Sequence, residues 1–265
     1  MSFRGTAIAI VFCIIGFNSF SQNKFLSFTL PQGTTHWEVD ALGNLYVFSA
    51  FDLTRIGPDG SILRTFSSRD FGHIGAIDVS DAFSPLITYP AFNKVIELDN
   101  SFAIKSSWSP NTFNATGDLM VCRAPGKGYW VYDRLNVKPI LFDQSGKSIA
   151  EGTDIAALLN EDAVVNNMFA CDDLLVLFKK GFGLFVFDRY GTFNYSISGS
   201  NLVLAGFSGS DIYYFEGGKL YKREPKKPLG SVVVSFSESN MPDDCKVNNG
   251  RIYIRNGSVV SEYVH

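Results

Sequence analysis

The feature that most constrains this chain is a spacing. A strand-like apolar run that passes through a turn into a second such run recurs six times along the sequence. NLYVFS (44–49) leads into LTRIGPDG, PLITYP (85–90) into KVIELDNS (94–101), and YWVYD (129–133) into KPILFDQSG (138–146). LLVLF (174–178) leads into GLFVFDRYG (183–191), DIYYFEGG (211–218) into KLYKREP (219–225), and RIYIRNG (251–257) into SVVSEYV (258–264). Anchored at Leu45, Leu86, Trp130, Leu175, Ile212 and Ile252, the runs lie 41, 44, 45, 37 and 40 residues apart. β-Branched and aromatic runs bounded by Gly, Pro, Asn and Asp are strands joined by hairpin turns. Gly217-Gly218 and Asn256-Gly257 supply the positive φ that tight hairpins require.

Each repeat predicts two further strands. An apolar run precedes every hairpin: THWEVD (35–40), IGAIDV (74–79), DLMVCR (118–123), NMFACD (167–172), LVLAGF (202–207) and DCKVN (244–248). Another follows the first five: SILRTF (61–66), FAIKSS (102–107), KSIAEG (147–152), FNYSIS (193–198) and SVVVSF (231–236). Four antiparallel strands in ~40 residues is the period of a β-propeller blade. One blade cannot bury both its faces, so blades stack around an axis. The sixth repeat holds three strands, and KFLSFTL (24–30) is available to dock beside SVVSEYV as its fourth. The expectation is all-β: a six-bladed β-propeller of four-stranded antiparallel blades over residues 22–265, the ring closed by the N-terminal strand joining the C-terminal blade. An irregular sandwich or barrel, the alternative, would turn every ~8–12 residues. The outer strands would be exposed edges, which Arg64, Lys105 and Lys147 are placed to blunt.

The first residues read differently. Arg4 precedes an uninterrupted apolar run, TAIAIVFCIIGF (6–17), and Ser19-Phe20-Ser21 offers small residues where a signal peptidase reads. The run is shorter than the ~20 apolar residues of a membrane span. Residues 1–21 are expected to be a signal peptide, leaving an exported, periplasmic or secreted chain that is soluble after cleavage; an uncleaved anchor is the alternative. The remaining cysteines, Cys122, Cys171 and Cys245, are odd in number and form no CxxC. They read as buried thiols rather than a disulfide framework, with at least one unpaired.

Composition sets limits on function. With 46% hydrophobic and 18% charged residues, the chain has material for a core. Its net charge of −3, with no basic run longer than Lys226-Lys227, excludes a phosphate-backbone binder, so no nucleic-acid partner is expected. The 24 phenylalanines suit flat interfaces between blades.

VDALGNLYV (39–47) followed by LTRIGPDGSI (53–62), together with the period, resembles the six-bladed propellers grouped as NHL-like or TolB-like, over Lys24–His265. The Trp-Asp signature of WD40 repeats is absent. The short leader ending in FSQ resembles those of exported Bacteroidota proteins. The comparison with lactonase-type propellers implies a channel metal held by Glu, Asn and Asp; Glu38, Asn166 and Asp211 are of the right type, with no context that singles them out.

Candidate sites fall at the exceptions to the repeat. His36 with Trp37, and Phe71 with His73, open the first two repeats near the expected channel rim. They read as a polar rim or as an aromatic recognition patch; a metal pair would lack a third ligand, so no metal site and no cofactor are expected. TDIAALLNED (153–162) breaks the strand pattern. Thr153 or Asp154 can cap a short helix with Ile155, Leu158 and Leu159 on one face. That helix is either a connector folded onto the propeller or a protruding contact for a partner. Asp172-Asp173 and Asp243-Asp244 do not match the spacing of a calcium loop. NAT (114–116), NYS (194–196) and NGS (256–258) have the form of glycosylation sequons, which matters only in a eukaryotic source. No nucleophile elbow, Walker loop or His-Glu-x-x-His appears, so no catalytic residue is named. The expected function is a non-enzymatic protein-interaction scaffold that docks onto another envelope protein, with an outer-membrane barrel or secretion machinery as host. The alternatives are a channel-metal hydrolase or lactonase acting on a small sugar or ester, and a carbohydrate-binding module with a glycan or small-molecule ligand.

Overall fold

The computed structural model describes residues 24–34, 36–109, 120–126, 128–159, 165–225 and 227–264. The expected signal peptide and the sequon at 114–116 lie outside them. Strand β1 (Lys24–Thr29) comes first. Four groups of four follow. They are β2 (His36–Val39), β3 (Leu45–Phe48), β4 (Asp52–Ile56) and β5 (Ile62–Ser67); then β6 (Ala76–Asp78), β7 (Leu86–Tyr89), β8 (Lys94–Leu98) and β9 (Ile104–Trp108). Next are β10 (Val121–Ala124), β11 (Gly128–Asp133), β12 (Lys138–Phe142) and β13 (Ser148–Glu151), a short helix α1 (Ile155–Leu159), and β14 (Asn167–Cys171), β15 (Leu174–Lys179), β16 (Gly183–Asp188) and β17 (Phe193–Ser198). The chain continues through β18 (Val203–Ser208), β19 (Asp211–Glu216), β20 (Lys219–Arg223) and β21 (Ser231–Ser235), and ends with β22 (Asp244–Asn248), β23 (Arg251–Asn256) and β24 (Val259–Val264).

Each of the four groups from β2 to β17 is a separate antiparallel sheet in chain order. These are small propeller blades. The expectation of six separate four-stranded sheets is corrected in the last third of the chain. There, β18 to β24 and β1 form one eight-stranded sheet, in the order β1-β24-β23-β22-β18-β19-β20-β21. Two antiparallel four-strand runs are fused where β18 and β22 pair in parallel, Gly206 with Val247 and Phe207 with Asn248. The cause is local. β18 carries one extra residue, Ala205, between the pairs Leu204–Tyr214 and Gly206–Tyr213. Gly206 has φ 144°, and a Cβ there would sit 1.9 Å from the Val247 carbonyl oxygen. Only glycine lets two backbones come this close. At the other edge, β1 pairs antiparallel with β24, Leu26 opposite Glu262 and Phe28 opposite Val260.

The outer strands share a second device. Where β5, β9, β13, β17 and β21 pair with their inner neighbours, the register slips once, leaving Leu63, Lys105, Ile149, Asn194 and Val233 as the extra residues. β1 slips once against β24 as well, between Lys24 and Leu26. A bulge bends and twists a strand, which makes an exposed edge a poor template for further pairing. Lys105, expected to blunt its edge by charge, is 56% exposed and pairs with Glu97 at 3.0 Å.

The turns between third and fourth strands explain the regular spacing. The Oδ1 atoms of Asp59, Asp99, Asp143 and Asp188 each accept a bond from the backbone N–H two residues on, at 2.8–3.0 Å. Each turn then needs a residue at positive φ: Gly60, Gly146 and Gly191 in three cases, Phe102 (φ 69°) in the fourth. The Phe102 ring is buried beneath the Arg55 guanidinium, 5.1 Å away, and Arg55 in turn donates to Asn100 Oδ1 and O at 3.0 Å. Strain in one turn is thereby tied to a clamp between the first two sheets. The second strands β3, β7 and β11 are buried throughout, and apolar clusters join neighbouring sheets. One unites Trp130, Met168, Phe185 and Phe187 with fully buried Ile155 of α1.

Candidate functional site: the central channel

First strands β2, β14 and β22 alternate in burial, as the period-2 geometry of a strand demands, and their less buried residues contribute to one wall. In β2, Trp37 and Val39 are buried while Glu38 is half-buried; in β22, Cys245 and Val247 are buried while Lys246 and Asn248 are half-buried. Two cavities lie along this wall. The larger, about 440 Å³, opens among the six turns that join first to second strands, touching Ala41, Ser80, Pro125, Asp172, Gly209 and Asn249. The smaller, about 210 Å³, includes His36, Phe48, Ala76 and Asn167. They share Glu38, Ser80, Phe169, Ala170 and Phe207, so one carboxylate and two phenyl rings line both.

The polar groups of the wall have defined partners. Lys246 Nζ lies 2.9 Å from Glu38 Oε1, with side-chain exposures of 19% and 29%. Burial pushes the Lys246 ammonium pKa down, but the charges of Glu38 and Asp244 outweigh it, and the net direction is up. Trp37 Nε1 donates to Asp244 Oδ2 at 2.8 Å, and Asn248 Nδ2 donates to the Val39 carbonyl at 2.6 Å. Asp78 accepts from the backbone N–H groups of Arg123 (2.6 Å) and Ser80 (2.8 Å).

Behind the wall, Glu97 is the hub of the junction between the second and third sheets. It accepts from Ser84 Oγ (2.6 Å), Lys105 Nζ (3.0 Å), Arg123 Nη2 (3.1 Å), Ser106 Oγ (3.1 Å) and Tyr129 Oη (3.2 Å). Burial alone would raise its pKa; the bonds from Ser84 and Lys105 and the charge of Arg123 bring it down to about 2. This is a structural carboxylate held ionised.

The structure separates the residues singled out in the sequence. His36 is exposed, stacks on Phe48 at 5.1 Å and lines the smaller cavity. Trp37 is 2% exposed and packs in the interior. His73 is exposed and meets Phe51 edge-on at 4.5 Å, while half-buried Phe71 packs against Tyr89 at 5.5 Å with Lys94 Nζ 5.7 Å from its ring. His36 and Trp37 point to opposite sides of β2, as neighbours on a strand must, and Phe71 and His73 lie in the segment before β6 with different ring partners. In α1, Asp154 Oδ1 accepts from Ala156 N–H at 2.8 Å; Ile155 is buried, Leu158 is 38% exposed, and the Leu159 side chain lies outside what is described. Ile155 N–H also donates to the Val137 carbonyl, which anchors the start of the helix to the third sheet.

The acids are likewise dispersed. Glu38 is paired with Lys246, Asp211 with Lys222 at 2.8 Å, and Asn166 Oδ1 accepts from Lys180 N–H at 2.7 Å, so these three do not assemble as a ligand set. Among the described residues, no group of three His, Cys, Asp or Glu side chains converges. Cys122 and Cys245 are buried free thiols; the half-buried Cys171 thiol is pushed up to about 11 by burial and by Asp172. Lys246, Asn248, Phe169 and Phe207 were not singled out in the sequence. The signal available for them was their alternate position in first strands, once the channel face of each strand was assigned.

No protein-family model and no curated protein matches the sequence. Solved structures do. A catalytically inactive H270A virginiamycin B lyase from Staphylococcus aureus with quinupristin has a TM-score of 0.59 at 12% identity, covering 86% of this chain and 79% of that one. A streptogramin B lyase gives 0.59 at 13% identity, with 91% and 86% covered. A chain of the mitotic checkpoint complex gives 0.57 at 10% identity, with 100% and 98% covered. At such identities the likeness shows the fold, a β-propeller, and nothing of the chemistry.

Proposed function

We propose that this chain is a six-bladed propeller working as a non-enzymatic protein-interaction scaffold in the cell envelope. The count of six treats the eight-stranded sheet as two blades divided at the two-residue β18–β22 seam. In its favour, β1 carries the same single register slip as the other outer strands and takes the corresponding place beside β24. The bond that Trp37 gives to Asp244, and those that Glu38 and Val39 accept from Lys246 and Asn248 of β22, support a closed ring. Residues 1–21 are read as a removed leader of the kind seen in Bacteroidota, and no helix among the described residues is long and apolar enough to cross a membrane.

The observation that carries the scaffold reading is the rim of the larger cavity. The turns there hold Leu42 at 52% and Phe83 at 61% exposure, with Tyr190 and Leu229 exposed at the same ends of their strands. Large apolar groups exposed on turns of one end suit contact with a protein partner. The partner proposed is an envelope protein, with an outer-membrane β-barrel or secretion machinery as host. Affinity capture from detergent-solubilised envelopes tests this. The expected result is one stoichiometric barrel protein, lost with Leu42→Asp/Phe83→Asp. Failure to recover a stoichiometric envelope protein, or equal recovery with the double variant, rejects it. The rival hydrolase reading would be favoured by one tightly held divalent ion per chain together with ester or lactone turnover.

A further inference from the structure

We infer that the larger channel cavity is a binding site for a neutral polyhydroxylated ligand, that is, a sugar. This goes beyond the docking reading and does not depend on it. The cavity, about 440 Å³, is of ligand size. One part of its wall is aromatic, Phe169 and Phe207, both half-buried. Another part is the Glu38–Lys246 pair at 2.9 Å, with Asn248 beside it.

The pair selects the chemistry. Its charges cancel, so a charged ligand at the pair would have to displace one partner and strand the other in a half-buried site; the further carboxylate of the lining, Asp172, is exposed at the rim. A neutral ligand leaves the pair intact. After the Glu38–Lys246 contact and the Asn248–Val39 bond, Glu38 Oε2, the remaining Lys246 N–H groups and Asn248 Oδ1 have no hydrogen-bond partner among the described residues. Acceptors and donors therefore sit side by side. A hydroxyl both donates and accepts, so adjacent hydroxyls match this arrangement where an amine or a carboxylate matches half of it. The C–H face of a sugar ring is apolar and suits the phenyl rings through dispersion contacts.

The test uses the full chain and neutral probes: glucose, galactose, mannose, N-acetylglucosamine and their disaccharides, by titration calorimetry. At least one is expected to bind saturably, with glucosamine, glucuronate and glucose 6-phosphate weaker by about tenfold or more. Glu38→Gln/Lys246→Met, which removes both charges together, is expected to weaken binding by about tenfold or more. Leu135→Asp, at a position 71% exposed in the turn between β11 and β12 and outside the cavity, is expected to leave it unchanged, a control for surface substitution. Hydrogen exchange of the unmodified chain with the sugar bound keeps the test valid should the double variant fail to fold. Protection is expected in β2, β14, β18 and β22. Absence of saturable binding by every neutral probe, preference for a charged one, or protection confined to the outer strands overturns the inference.

Discussion

Besides its hairpin partner β23, strand β22 meets two further strands, β18 and β2, by different means. On the β18 side the contact is backbone on backbone, made possible by Gly206, and it fuses two antiparallel runs into one sheet. On the β2 side the contact is made by side chains: Trp37 to Asp244, Glu38 to Lys246, and Asn248 to the Val39 carbonyl. The backbone seam tolerates no side chain at its closest point. The side-chain seam is made of separable bonds, and each can be removed without steric conflict. Single substitutions should therefore break the first outright and weaken the second by degrees.

The largest effect is expected from Gly206→Ala. The new methyl would overlap the Val247 carbonyl, and φ 144° is unsuited to an L side chain. A loss of about 4 kcal/mol or more, or failure to fold, is expected. Urea unfolding checks it, and a loss below about 1 kcal/mol would show that the seam opens freely.

Acid is the next lever, because a side-chain seal recurs between the second and third sheets at Glu97. Its folded pKa lies below its ordinary value of 4.5, at about 2. The stabilisation is then fully present above pH ~4.5 and disappears as pH falls through that value toward ~2, amounting to about 3 kcal/mol. Hydrogen exchange across this window should show β8 and β10 losing protection before β18 and β22. Glu97→Gln should flatten that part of the pH profile, and an unchanged profile would remove Glu97 as the cause.

The hairpins were legible in the sequence because their signals are local. Alternating strand formers and Asp-Gly or Asn-Gly turns lie within a dozen residues of one another, and the ~40-residue period needs no knowledge of contacts. The seams were not legible in the same way. The bonds of Trp37, Lys246 and Asn248 join residues 207, 208 and 209 positions apart, so no window of sequence contains both partners. The sequence did hold a rule against grouping His36 with Trp37, since adjacent strand residues cannot share a face. The fusion at Gly206 was hidden for a different reason. A glycine within a strand marks a bulge or a close approach but does not say to what.

Trp37→Phe sharpens the side-chain seam. The substitution keeps most of the apolar volume and deletes the indole N–H that meets Asp244 Oδ2 at 2.8 Å. Since the bond has a carboxylate acceptor, about 1.5–3 kcal/mol is expected from denaturant titration. An effect near zero would mean that solvent already satisfies Asp244.

The smallest effect is expected at Asn248→Ala, and it isolates what one amide contributes across the seam. Asn248 lies at the junction of both contacts: its backbone belongs to the pair with Phe207, and its side chain reaches the Val39 carbonyl at 2.6 Å. Alanine leaves the backbone pair in place and removes the side-chain bond. The Val39 carbonyl loses a neutral donor, so the cost should be about 1 kcal/mol. Hydrogen exchange then decides where that cost falls. If the two seams are independent, protection drops in β2 while β18 holds, because the lost bond served only the β2 side. Equal loss in β18 and β2 would mean that β22 moves as a unit with both neighbours, and the contrast between a backbone seam and a side-chain seam would have no mechanical meaning.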